Sequence, residues 1–234
     1  MQLEKGHSDR HDRSAICERL LLAGLQVFAA RGYGGTTVRE ICAVAKSNIA
    51  AVNYHFGDKA RFYLAVKDYA RSRRQELLRR CWDLSSSLPW AALRLHIGIL
   101  LDSTYDNVQS QVNWILLREL LDGPPVHPEC GSPAEQSAQR REYEENLTRL
   151  LSALLQDASS QENINLLRYT YYSICLFLPI HTHCEEKLLG GQGRFALKTT
   201  DKESLTEYIF SIVKRTVEDM REKSAMSPAK GNVR

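Results

Sequence analysis

Apolar positions recur along most of this chain at intervals of three and four, the spacing that stacks side chains on one face of an α-helix. From Ser14 onward Ile16, Leu20, Ala23, Leu25, Val27 and Phe28 follow that rule. Arg31-Gly32 closes the run, with Gly32 placed to take the left-handed conformation just past a helix end. Thr37 stands three residues before Glu40, which is capping-box spacing, and Val38, Ile41 and Val44 predict a short amphipathic helix behind it. After a break at Lys46-Ser47, Asn48 suits the cap of a second short helix, "IAAVNYHF". Gly57 interrupts, and Asp58 opens a longer helix through Phe62, Val66 and Tyr69 toward Arg80.

Past the polar run at 85–89 the same periodicity predicts helices over 90–105, 107–122, 134–157, 161–182 and 202–224. Two loops rich in glycine and proline, 122–133 and 190–195, separate some of them. No useful stretch alternates with the period of a strand, so the expected fold is all-α. The expected organisation is a flexible arm over 1–13, a helical head over 14–65, a helical body over 66–224 and a flexible tail over 225–234.

Composition adds little beyond an ordinary globular class: 43% of the 234 residues are hydrophobic and 25% charged. No run approaches ~18 uncharged apolar residues, and the charged start "MQLEKGHSDRHDRS" lacks the apolar core of a secretory signal, so a cytoplasmic protein with no membrane partner is expected. The six cysteines, Cys17, Cys42, Cys81, Cys130, Cys175 and Cys184, are scattered without a CxxC, which favours free thiols. Charge is more informative. Residues 1–80 carry 15 lysines and arginines against 8 acidic residues, net +7, whereas residues 81–234 carry 16 against 20, net −4. The first third is the part suited to a polyanion.

Two short helices joined by a tight turn suggest a helix-turn-helix. A helix that enters a major groove ~12 Å wide needs small or polar side chains on its leading face, and flanking groups that bond to phosphates without reading sequence. Asn48, Ile49, Ala50 and Ala51 open the helix with little bulk, and with Asn53 they meet the first demand. Thr36, Thr37, Lys46, Ser47, Tyr54, His55 and Lys59 are candidates for the second, with Asn53 able to serve either. Phe56 is expected in the core.

Residues 14–64 resemble the N-terminal domain of the TetR family of transcriptional repressors. The resemblance rests on Phe28, Gly32, Tyr33, Thr36 and Thr37, then Ala45, and then Tyr54, His55, Phe56 and Lys59. The wording "NIAAVNYHFGDK" is most similar to the AcrR-like branch named for cephalosporin and chloramphenicol resistance regulators. The resemblance implies a three-helix DNA-binding head and a C-terminal helical domain for ligand binding and dimerisation. It also implies double-stranded operator DNA and a small-molecule inducer as partners, and a homodimer. The chain departs from the family's turn, which usually carries glycine followed by an apolar residue; Lys46 and Ser47 stand there. A lysine in the left-handed region costs ~1 kcal/mol relative to glycine.

The body must be read from its own residues. Residues 166–180, "LLRYTYYSICLFLPI", are apolar nearly all round, so that helix is expected to be covered on two sides, one of them by a partner subunit. The last helix carries a broad apolar stripe. Tyr171, Phe177, Leu205, Tyr208, Ile209, Ile212, Thr216 and Met220 are the candidates for the dimer interface. Aromatic and polar residues within apolar runs are candidates for an inducer pocket: His96, Tyr105, Trp114, Arg118, Tyr143, Tyr169 and Tyr172. His181, His183 and Cys184, with His127 and Cys130, raise a metal-responsive alternative, but no known zinc spacing is matched, and neither metal nor cofactor is expected. No glycine-rich nucleotide loop, GxSxG, HExxH or paired acids suggest an enzyme. A DNA-binding architectural protein without a ligand is the other alternative.

Overall fold

The computed structural model describes residues 5–122, 133–189 and 201–226. They form α1 (Lys5–Arg31), α2 (Val38–Ala45), α3 (Ile49–Phe56), α4 (Lys59–Ser85), α5 (Pro89–Tyr105), α6 (Asn107–Asp122), α7 (Pro133–Leu155), a 3-10 turn (Gln156–Ala158), α8 (Gln161–Leu189) and α9 (Lys202–Met226). Among the described residues there is no strand. The all-α expectation holds, and the helices fall close to where the periodicity put them.

Three boundaries differ. The first helix begins at Lys5 rather than Ser14, because a polar segment without proline extends a helix at little cost once its apolar part has nucleated it. Helix α7 ends at Leu155, where Gln156 turns left-handed with φ 52°. Helix α8 runs on to Leu189, past the expected end at 182.

Contacts divide the chain into two compact units. The first comprises residues 1–75 and 106–136; the second comprises 76–105 and 137–234. The expected boundary at 65/66 falls within α4, and α6 groups with the head helices, packing on α1.

In the first unit Leu20, Leu25, Phe28, Ile41, Val52, Phe62 and Val66 are at most 1% exposed, joined by Val112 and Ile115 from α6. Each such side chain contributes about 1.5–3 kcal/mol of burial. Phe28 is the hub of an aromatic set, 4.8 Å from the Tyr63 ring and 6.1 Å from Phe62 between centroids. Helices α1 and α4 approach closely at Gly24, where an added Cβ would lie 2.7 Å from Val66 and 2.8 Å from Phe62. Gly32 ends α1 at φ 70°, its N–H bonded to the Phe28 carbonyl at 2.8 Å. On α2 the buried residues are Ile41, Cys42 and Ala45; Val44, expected in the stripe, is 46% exposed. The second unit is built on Leu93, Ile97 and Leu101 of α5 and Leu147, Leu150, Leu151 and Leu154 of α7. Leu167, Tyr171 and Cys175 of α8 and Ile209, Val213 and Val217 of α9 complete it. Arg94 pairs with Glu203 and Glu207, and Lys202 with Asp102, across α5 and α9.

Candidate nucleic-acid interface

The path into α2 and α3 is fixed by local hydrogen bonds. Thr36 is 1% exposed, and its hydroxyl donates to the Gly32 carbonyl at 2.7 Å and the Val27 carbonyl at 3.4 Å. That is a correction to its reading as a phosphate ligand: the hydroxyl is spent on the chain's own backbone and locks the loop after α1. Thr37 caps α2 in a complete capping box. Its Oγ1 accepts from the Glu40 N–H at 3.2 Å while Glu40 Oε2 accepts from the Thr37 N–H at 2.8 Å. The Thr37 bonds, with the Arg31 guanidinium 2.5 Å away, hold the Glu40 carboxyl below its ordinary range.

Lys46 does adopt the left-handed conformation that its place in the turn demands, with φ 50° and ψ 48°. Its N–H bonds to the Ala43 carbonyl at 3.3 Å, and the Ser47 N–H bonds to the Cys42 carbonyl at 2.9 Å. This pair of bonds is the Schellman closure that normally favours glycine. Asn48 then caps α3 from an extended backbone, its Oδ1 accepting from the Ala51 N–H at 2.8 Å. Gly57 (φ 86°) ends α3, and Asp58 opens α4 by accepting from the Arg61 N–H at 2.9 Å.

At about 100° per residue, Ile49, Asn53, Ala50 and Tyr54 fall within one arc of about 140° on α3, and these four are the helix's exposed residues. The opposite side is committed to the fold. Val52 is fully buried, Ala51 and Phe56 pack on the head core, and Phe56 stands 4.7 Å from Phe62 between ring centroids. Ala51 therefore belongs with the core rather than with the open face. His55 is half-buried, edge-on to the Tyr54 ring at 5.0 Å. Lys59 is half-buried too, its Nζ 4.4 Å from the Tyr33 ring centroid, and desolvation pushes its pKa down against the pull of Glu40. Arg39 on α2 and Lys46 in the turn before α3 are exposed. Sequence reasoning missed Arg39 as a surface feature. Ile49, expected to open the leading face, is 47% exposed.

In the second unit, three of the seven inducer candidates come together. His96 is fully buried, with Nε2 2.9 Å from the Tyr143 hydroxyl and Nδ1 3.2 Å from the Tyr171 hydroxyl. Tyr143 also bonds to Tyr172, and the Trp82 ring lies 5.3 Å from His96 and 5.7 Å from Tyr143 between centroids. Tyr105 packs at the edge of the same core. Trp114 belongs to the other unit, and Tyr169 is 65% exposed, so neither joins the cluster. The Arg118 side chain lies outside the described residues, as do the side chains of His183 and Cys184 and all of His127 and Cys130. Among the described residues, no three His, Cys, Asp or Glu side chains gather as a metal site would require.

The expected interface residues divide. Tyr171, Leu205 and Ile209 are buried within one chain, which corrects their assignment to a partner. Phe177 and Tyr208 are 59% and 64% exposed, while Ile212, Thr216 and Met220 are half-buried. The open apolar face of α8 is formed by Leu166, Tyr169, Leu176 and Phe177, with Ser173 between them. These lie within an arc of about 100°.

A capped helix-turn-helix with a slim open helix in a cationic head defines a DNA-binding module. Residues 20–66 match the family model for bacterial regulatory proteins of the tetR family. The head is therefore similar to the N-terminal domain of that family. The fold of the chain is similar to that of a transcriptional regulator from Rhodococcus sp. Rha1, at 18% identity over 91% of this chain and 99% of the other, with a TM-score of 0.55. It is also similar to a linker-substituted mutant of the HlyIIR protein, at 21% identity over 85% of this chain and 97% of that one, with a TM-score of 0.55. Comparison with curated protein sequences gives no match. Among the described residues no helix is long and apolar enough to cross a membrane.

Proposed function

We propose that this chain is a ligand-responsive repressor that holds a palindromic operator as a homodimer and releases it when a small-molecule inducer binds the helical body. The carrying observation is the open arc of α3, slim at Ala50 and polar at Asn53, with the Asn48 cap at its start and exposed Lys46 in the turn before it. One such helix reads only a half-site, and two heads ~34 Å apart read a palindrome. The exposed apolar face of α8, with Tyr208 and Ile212 of α9, supports pairing with a second copy, since such a face is costly to leave in water.

The cluster of His96, Tyr143, Tyr172 and Trp82 supports an inducer site in the body: it combines ring faces with hydroxyl groups that fix orientation. Helix α4 contributes Phe62, Val66 and Ala70 to one core and Leu78 and Cys81 to the other. It is the element by which a ligand-preferred arrangement of the body would change the heads. Release then follows from the inducer's differential affinity for the two states. The test is a mobility-shift assay of the full chain on DNA upstream of its own coding region, paired with sedimentation analysis. A dimer that binds this DNA specifically and is displaced on titration with small molecules supports the proposal. A monomer, or a complex blind to every compound tried, contradicts it.

A further inference from the structure

We infer that the recognition face of α3 selects an A·T-centred half-site, with Ile49 lying on a thymine methyl group and Asn53 pairing with an adjacent adenine. The inference rests on the reading above that α3 enters the major groove, and it goes on to say what that helix reads.

The open arc holds four side chains, those of Ile49, Ala50, Asn53 and Tyr54. None is arginine or lysine, the residues that bond guanine O6 and N7, and none is the carboxylate that accepts from cytosine N4. The cations available to the head lie off this arc. Lys46 is in the turn, Arg39 is on α2, and Lys59 is held over Tyr33. They suit phosphates, in keeping with the net +7 of residues 1–80. A guanine-reading centre would therefore lack a reader.

What the arc does hold fits A·T pairs. Asn53 is exposed, and an asparagine amide matches adenine N6 and N7 in bidentate fashion. Ile49 stands about 40° away on the same face. It is 47% exposed and is not part of the head core, which already takes Val52 and Phe56 from this helix. The fold has no use for a β-branched apolar side chain there. A thymine C5-methyl is the apolar feature that the groove floor presents. Ala50 leaves room beside it for close approach. Tyr54, 72% exposed at the edge of the arc, is placed for the backbone rather than the bases.

The experiment is in vitro selection of random duplexes by the full chain, followed by binding measurements on the enriched site with single thymines replaced by deoxyuridine and single adenines by 7-deazaadenine. Loss of one methyl contact should weaken wild-type binding about four-fold at one position, and Ile49→Ala should bind the thymine and uracil versions equally. One 7-deazaadenine should cost at least about five-fold, an effect that Asn53→Ala abolishes. Ile49 is half-exposed, so its truncation leaves the fold intact; circular dichroism checks this, and the base-analogue effects on wild type do not depend on any variant. An enriched half-site with G·C pairs at its centre, or uracil sensitivity that Ile49→Ala leaves unchanged, overturns this inference while leaving groove binding in place. Failure to enrich any sequence overturns both.

Discussion

Replacing Lys46 with glycine should move stability and DNA affinity in opposite directions. Lys46 closes α2 at φ 50°, where a side chain costs about 1–2 kcal/mol that glycine does not incur. Glycine in turn frees the unfolded chain by about 0.4–1 kcal/mol. The backbone bonds of the turn, from Lys46 to Ala43 and from Ser47 to Cys42, involve no side chain and survive the change. Among the described residues the exposed ammonium makes no ion pair, and surface charges contribute little to folding. Lys46→Gly should therefore stabilise the protein by about 0.5–1 kcal/mol, raising Tm by about 1–4 °C for a chain of this size. On the DNA side, losing one phosphate contact per head should lower the slope of log affinity against log salt by about 0.9 per head. The assays are thermal melts at one fixed protein concentration, because dimerisation makes Tm depend on it, and operator titrations at several salt concentrations. An unchanged or lowered Tm would refute the account of the turn. An unchanged salt slope would refute the phosphate role of Lys46.

Other outcomes follow from the same contacts. Gly24→Ala places a Cβ against fully buried Phe62 and Val66, which cannot swing away. Overpacking of about 1–3 kcal/mol should outweigh the ~1 kcal/mol gain in helix propensity, lowering the melting temperature. Thr36→Val removes a buried donor from the Gly32 carbonyl and should cost about 1 kcal/mol of stability. Measured per folded molecule, operator affinity should not change, and a large loss would restore Thr36 as a DNA contact. Burial pushes the Cys81 and Cys175 thiols from 9.0 up to about 12 in the folded chain. The unfolded state ionises first, so their contribution is intact below about pH 9 and falls away as pH rises toward 12. Stability should drop across that window, and the drop should shrink in Cys81→Ala/Cys175→Ala compared with its own value at pH 7.

Much of the fold was legible because helices announce themselves by period and punctuation. Gly32, the Thr37–Glu40 box, Asn48 and Asp58 each sit where their chemistry says a helix ends or begins, and each does so in the structure. Exposure was harder to read. Val44 keeps the spacing of a core residue, yet it faces outward, because α2 is too short to bury more than one side. Thr36 looked like a phosphate ligand beside Thr37, but only three-dimensional proximity to Gly32 and Val27 shows its hydroxyl to be internal. In the body, Tyr171 and Tyr172 are neighbours in sequence with different surroundings. Tyr171 is wholly enclosed against His96, and Tyr172 reaches Tyr143. Residues 166–180 do lie in one helix, but the face from Leu166 to Phe177 is exposed in the chain, and which residue faces inward depends on the register of α8 against α5 and α9.

The central claim is that the open face of α3 supplies sequence discrimination. Its most direct test compares affinity for the enriched operator with affinity for an unrelated duplex of equal length, at one salt concentration, in wild type and in Asn53→Ala. The account predicts that Asn53→Ala, still a folded dimer, keeps its affinity for the unrelated duplex and loses at least about five-fold in the ratio. A ratio equal to that of wild type would contradict it.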